Sequence, residues 1–262
     1  YETALSLLDP SSRERLNRFY RKEDAFRGLM GRLLSRLVIK EQGVSQGNAS
    51  FSVTEAGKPY VAIQGDHKPL GFNITHDNGL VGMVYSSGED LYPDPPAYRL
   101  GVDVMRLQAP HRQSLNEFVE IFTEQLTNLE LRSLLLTPPL EDSEVIRRFF
   151  LMWTLKEAYT KALGLGLGFD FQRVEYDVIH DTVRIDGGVP NGWEFVRFEV
   201  DVTEDGKQNQ YVGVACRYIG EEVSRGIDSE CIVEKGEAGE WLQVFEADEF
   251  VPRAVRELQS QT

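Results

Sequence analysis

Glu157 and Lys161 stand four residues apart in the segment Trp153-Thr-Leu-Lys156-Glu157-Ala-Tyr-Thr-Lys161-Ala-Leu-Gly164. At that spacing an acid and a lysine can form a solvated ion pair worth only ~0.3–0.5 kcal/mol. They can equally be the acid and the cation of a phosphate site. Met152, Leu155, Tyr159 and Ala162 recur at helical spacing and make one apolar face. Trp153, Glu157, Thr160, Lys161 and Gly164 fall on the neighbouring face, with Lys156 at its edge. The pair thus lies between a large aromatic and a glycine-rich exit, in a helix apolar enough to be central.

Three further segments carry reactive side chains. Asp103 interrupts the apolar run Leu100–Met105. A carboxylate there is costly to bury unless it is paired or holds a metal; otherwise it points outward at a strand end. Phe72-Asn73-Ile74-Thr75-His76-Asp77 ends a short apolar run, and its histidine suits either a phosphate contact or a turn cap. Gly57-Lys58-Pro59-Tyr60 reads as a turn presenting a lysine. Taken together, one or two carboxylates can hold Mg²⁺, which takes few protein oxygens besides substrate phosphate. Lysines and a histidine around them suit a polyphosphate ligand. The chain has no Walker lysine motif, no paired-histidine zinc helix and no serine elbow. Gly164-Leu-Gly-Leu-Gly168 follows a helix instead of preceding one, so it is a helix terminator and not a dinucleotide fingerprint.

The elements that must position these residues can be read from periodicity. A helix is expected over 11–41, capped by Asp9 or Ser11 with Pro10 in its first turn. Strands are expected at Phe51–Thr54, Tyr60–Gln64, Phe72–Thr75 and Leu80–Tyr85, and an exposed linker over Ser86–Ala97. A strand at Arg99–Val104, one or two helices over Gln113–Leu136 and the long helix Glu141–Leu163 follow. Strands at Arg173–Val178, Thr182–Ile185, Trp193–Val202 and Gln210–Ile219 precede a closing helix at Ala247–Gln259. The fold class is therefore α+β, with an N-terminal unit over 1–97 and a C-terminal unit over 98–262.

Composition bounds the function. The 262 residues carry a net charge of −14, which argues against general nucleic-acid binding. The charge is uneven: residues 11–40 hold Arg13, Arg15, Arg18, Arg21, Lys22, Arg27, Arg32, Arg36 and Lys40 against Glu14, Glu23 and Asp24, whereas residues 221–262 reverse this with eleven acids against four bases. Such a basic helix is either a solvated face or the rim of a phosphate site. No apolar run is long enough to span a membrane, and no secretory signal is visible. Two cysteines, Cys216 and Cys231, need no disulfide framework. A cytoplasmic setting is the expectation.

The ordered set Gly57-Lys58-Pro59, Phe72–His76, Gly101-Val102-Asp103-Val104 and Trp153–Gly168 resembles the motifs of surfactin-type (Sfp-type) 4'-phosphopantetheinyl transferases, of the eukaryotic broad-range kind. The resemblance runs from about Pro10 to Asp170 and thins beyond it. It implies a monomer of two similar lobes in a pseudo-twofold arrangement, each a small antiparallel sheet packed with helices, with coenzyme A between them. It implies Mg²⁺, with Mn²⁺ as a substitute, on Asp103 and Glu157. Lys161 is then the pyrophosphate contact and joins those two acids as the catalytic set. His76 with Thr75 and Lys58 then grips the nucleotide-phosphate end, Arg15 supplies another phosphate contact, and Pro59 and Lys156 complete the coenzyme site. Met105 stands where many bacterial members carry a third acid, so water is expected there, and Thr75 replaces the usual serine. The implied partners are acyl carrier, peptidyl carrier and aminoadipate-reductase carrier domains. The proton of the carrier serine is left to Glu157, Glu130, Glu124 or water.

Overall fold

The computed structural model describes residues 1–109, 114–136, 138–204, 206–221, 230–236 and 241–260, without the side chains of Leu167 and Glu204. The segment expected as one helix is two, α2 (Pro10–Asn17) and α3 (Lys22–Glu41), preceded by the short α1 (Glu2–Ser6). Asp9 caps α2 by accepting from the Ser12 N–H. Neither glycine nor proline marks the break at Arg18–Arg21. Its cause is tertiary: the chain turns back so that Leu16 is buried over Gly28, where a Cβ would stand 2.7 Å from the leucine. Packing overrides local propensity there.

Next come two hairpins, β1 (Ala49–Val53) with β2 (Pro59–Ile63) and β3 (Leu70–Asp77) with β4 (Leu80–Ser87). The expected linker is ordered and only partly exposed. Leu91 is buried, and the Tyr92 ring meets that of Tyr218 at 4.7 Å with Arg99 over it. β5 (Leu100–Arg106) then leads to α4 (Leu115–Ile121), α5 (Asn128–Leu134) and α6 (Asp142–Leu163), so the region expected as one or two helices holds two. Both α4 and α5 start in capping boxes, Ser114 with Glu117 and Thr127 with Glu130.

β6 (Val174–Asp177), β7 (Thr182–Ile185), β8 (Trp193–Glu204), β9 (Lys207–Tyr218) and β10 (Cys231–Lys235) build the main sheet with β5, in the order β5-β9-β8-β10-β7-β6. α6 is apolar on most sides because it lies across this sheet. Phe149, Met152, Leu155, Ala158 and Ala162 share one core with Val174, Val212 and Val214. Gly101 admits α6 so closely that a Cβ there would stand 1.9 Å from the Ala158 carbonyl. Gly101→Ala is therefore expected to destabilise the fold by about 3 kcal/mol; a chemical-denaturation midpoint unchanged from wild type would contradict that packing.

A long helix followed by two hairpins occurs twice, as α3, β1–β2, β3–β4 and as α6, β6–β7, β8–β9. The α+β class and its two similar lobes are borne out, with two amendments. One pairing of the main sheet, β8 with β10, is parallel. The last helix, α7 (Ala247–Gln259), crosses the 97/98 boundary: Phe250, Ala254 and Leu258 pack with Ala4, Leu5, Leu29 and Leu33 of the N-terminal unit. Sequence reading missed α1 and β10, the latter hidden in an acidic stretch.

Candidate active site

On the second half of α6 most side chains are buried, and Trp153, Glu157 and Lys161 form a half-exposed stripe one turn apart. Trp153 is a packing residue, its ring 5.2 Å from Phe122 and 5.4 Å from Phe171. The next two positions meet β5. Lys161 Nζ donates to Asp103 Oδ1 at 2.6 Å, to Thr75 Oγ1 at 3.0 Å and to the Val102 carbonyl at 3.3 Å. Thr75 in turn donates to Asp103 Oδ1 at 2.9 Å. Asp103 is buried, Lys161 about a quarter exposed.

The two acids are electrostatically linked. Burial pushes the Asp103 carboxyl up, opposed by Lys161 and Thr75. Burial also raises Glu157, with the nearby Asp103 charge adding to it and Lys161 opposing. Among the described residues no donor reaches the Glu157 carboxylate, so one buried acid and one partly buried acid lie in the field of one lysine. This donor set fits a hard divalent ion that keeps water and takes phosphate oxygens. No group of three or more histidine, cysteine or acidic side chains able to hold a metal occurs among the described residues. The side chain of Met105 packs against the main core.

Alternation along β3 divides the other expected residues. Asn73, Thr75 and Asp77 face β5, bonding the Val102 N–H, Asp103 and the Arg106 N–H. Phe72, Ile74 and His76 face the opposite way, into a cleft of about 1090 Å³ against α2 and α3. Thr75 and His76 therefore do not grip one phosphate together. Arg15, Pro59 and His76 line the cleft, as do Arg27, Arg32, Arg36 and Phe51.

The cleft arginines differ in their pairing. Arg36 bonds Asp9 at 2.7 Å and lies over the Phe51 ring, and Arg27 pairs with Asp24. Arg32 donates to the Gly28 carbonyl, and its guanidinium is pulled down by burial and then by the charge of Arg15. Among the described residues neither Arg15 nor Arg32 has a carboxylate in ion-pair reach; the Asp9 charge offsets part of the effect of Arg15 on Arg32, and an anion in the cleft they line would relieve the rest. Arg32 was visible in the sequence only as one of nine basic residues.

Two expected coenzyme contacts lie elsewhere. Lys156 is fully buried: Nζ pairs with Glu130 at 2.9 Å and donates to the Phe171 and Val174 carbonyls. Glu130 also accepts from the Thr127 and Tyr176 N–H groups. This network joins α5, α6 and β6 and leaves neither residue a free face, so Lys156 is not placed to touch a ligand, nor Glu130 to take a proton. Lys58 is buried as well, donating to the carbonyls of Tyr98 at 2.6 Å, Leu100 at 3.1 Å and Ala162 at 2.6 Å. Burial pushes its ammonium down to about 8. It clamps the β1–β2 turn to β5 and to the end of α6. Glu124 is exposed beyond α4.

Comparison with known proteins supplies the chemistry this geometry fits. The model of the 4'-phosphopantetheinyl transferase superfamily matches residues 99–215, and that of the 4'-phosphopantetheinyl transferase N-terminal family matches residues 1–87. The 4'-phosphopantetheinyl transferase pptA of Paxillus involutus is 44% identical over 262 residues, 98% of this chain and 93% of the relative. The L-aminoadipate-semialdehyde dehydrogenase-phosphopantetheinyl transferase of Rattus norvegicus is 28% identical over 228 residues, 82% of this chain and 68% of the relative. A phosphopantetheinyl transferase of Thraustochytrium is 34% identical over 179 residues, 67% of this chain and 59% of the relative.

Proposed function

The chain belongs to the 4'-phosphopantetheinyl transferase family, which moves the phosphopantetheine arm of coenzyme A to a serine of a carrier protein, and on that premise we propose how its residues divide the work. The observation that carries the reading is the meeting of Asp103, Glu157, Lys161 and Thr75 where α6 crosses β5. Asp103 and Glu157 would hold Mg²⁺, or Mn²⁺ in its place, and the ion would supply charge neutralisation on the pyrophosphate. Lys161, partly exposed beside Asp103, contacts the same pyrophosphate and stabilises the departing 3',5'-ADP. The carrier serine oxygen attacks the phosphorus next to the pantetheine arm, and the bond from that phosphorus to 3',5'-ADP breaks. Glu157 takes the serine proton, directly or through water.

The cleft behind β3 takes the nucleotide end. Arg15 and Arg32 receive the 3'-phosphate, His76 stands on the opposite wall, and Pro59 and Phe51 offer apolar surface to the base. Carrier domains of the acyl, peptidyl and aminoadipate-reductase kinds are the partners we propose. The last is supported by a relative named for L-aminoadipate-semialdehyde dehydrogenase. We propose a cytoplasmic monomer; no helix among the described residues is long and apolar enough to cross a membrane. We also propose two units, over 1–97 and 98–262; support comes from one family model covering 1–87 and another covering 99–215, and α7 packs with the first unit.

The test incubates the protein with coenzyme A, Mg²⁺ and an apo carrier protein and weighs the carrier. A gain of one phosphopantetheine is expected, and no gain with any of the three carrier kinds would overturn the reading. In the same assay Arg32→Ala should raise the KM for coenzyme A about tenfold, as loss of a charge-assisted phosphate contact does. Its effect on dephospho-coenzyme A should be small. Equal effects on both substrates would remove Arg32 from the 3'-phosphate.

A further inference from the structure

β5 is an edge strand of the main sheet. β9 lies on one side, with Val102 opposite Ala215, Asp103 opposite Val214 and Arg106 opposite Tyr211. On the other side β3 runs in the same direction without a backbone ladder among the described residues. An open edge leaves N–H and C=O groups unpaired at every second residue, yet here side chains take four of them. The Leu100 carbonyl accepts from Lys58 and the Val102 carbonyl from Lys161. The Val102 N–H donates to Asn73 Oδ1 at 3.0 Å, and the Arg106 N–H to Asp77 Oδ2 at 2.8 Å.

This arrangement decides where Asp103 can point. Direct backbone pairing would bring the strands to about 4.8 Å apart and close the space between them. Bridging by side chains holds β3 further off and leaves the space that Asp103, Thr75 and Lys161 occupy. We propose that Asn73 and Asp77 are positioning residues for the metal site: they fix β5 against β3 on either side of Asp103 and so set its carboxylate beside Glu157. The proposal rests on the reading of Asp103 and Glu157 as metal ligands. Neither positioning residue touches the ion; each acts through a backbone N–H of the strand that carries the ligand.

The experiment titrates Mn²⁺ into the protein with coenzyme A present, reading free Mn²⁺ by electron paramagnetic resonance, for wild type, Asn73→Leu, Asp77→Leu, Asp77→Asn and Asp103→Ala. Loss of an outer contact of this kind should weaken Mn²⁺ about tenfold in each leucine variant. Asp77→Asn keeps an acceptor oxygen and should stay within about twofold of wild type. Hydrogen exchange at the Val102 amide should accelerate in Asn73→Leu. Leucine variants that bind Mn²⁺ as wild type does, while Asp103→Ala does not, would overturn the positioning role and leave the metal reading standing. Asp77→Asn as weak as Asp77→Leu would overturn it too, because charge and not the acceptor would then matter. Wild-type binding by Asp103→Ala would instead remove the metal reading itself. If Asn73→Leu does not fold, the Asp77 pair decides the question alone.

Discussion

Asp103→Ala and Glu157→Gln are each expected to lower carrier modification at saturating coenzyme A by on the order of 10³-fold, with thermal midpoints within a few degrees of wild type. The size of the effect follows from where the charges are. Burial raises both carboxylates and one lysine opposes that rise in each, so removing either leaves half of the donor set for a divalent ion. The remaining single acid, held by Lys161 in one case and without a described donor in the other, is a poor site for Mg²⁺ competing with water. Stability should survive. Asp103→Ala frees Lys161, which is already about a quarter exposed and can turn to solvent. Glu157→Gln removes a charge that burial and Asp103 both oppose. The measurement is the rate of carrier mass gain at several Mg²⁺ concentrations, beside a melting curve. Near-normal rates in either variant would refute the two-carboxylate assignment, and a collapsed melting curve would make the loss structural instead of chemical.

Much of this site was legible because its residues sit in ordered elements with a fixed period. The four-residue spacing of Glu157 and Lys161 placed them on one helix face, and an acid inside the β5 run marked Asp103. What could not be read was which side of each element meets what. Thr75 and His76 are neighbours in sequence, yet a strand sends them to opposite faces, one to Asp103 and the other to the arginine cleft. Motif membership ran them together; alternation separates them. Lys58 and Lys156 are lysines in recognised motifs, and a charged residue in a motif invites a ligand role. Their true partners are backbone carbonyls and Glu130, 26 positions from Lys156 in the sequence, a distance no local pattern spans. The break between α2 and α3 has the same origin, since burial of Leu16 over Gly28 leaves no turn residue to see.

The reassignment of Lys156 makes the second large prediction. Lys156→Met should destabilise the fold by about 3–5 kcal/mol, the cost of leaving a buried acid without its counter-charge, and lower the thermal midpoint by roughly 10 °C. Both side chains have no exposed surface. Burial disfavours the charged form of each, raising Glu130 and lowering Lys156, while each opposes that shift in the other. Glu130 also terminates the Thr127 and Tyr176 N–H groups. An uncompensated carboxylate therefore cannot turn away without abandoning the start of α5 and the β6 edge. Replacing Glu130 by glutamine in the same molecule keeps an acceptor oxygen and removes the stranded charge. The double variant should lose less than the sum of the single losses, by at least about 1.5 kcal/mol. At a temperature where the variant is folded, the KM for coenzyme A should match wild type, because no ligand surface is touched. A Lys156→Met protein that melts normally but binds coenzyme A weakly would reverse this and return the lysine to the coenzyme site, with Glu130 then needing another counter-charge in a core that offers none among the described residues.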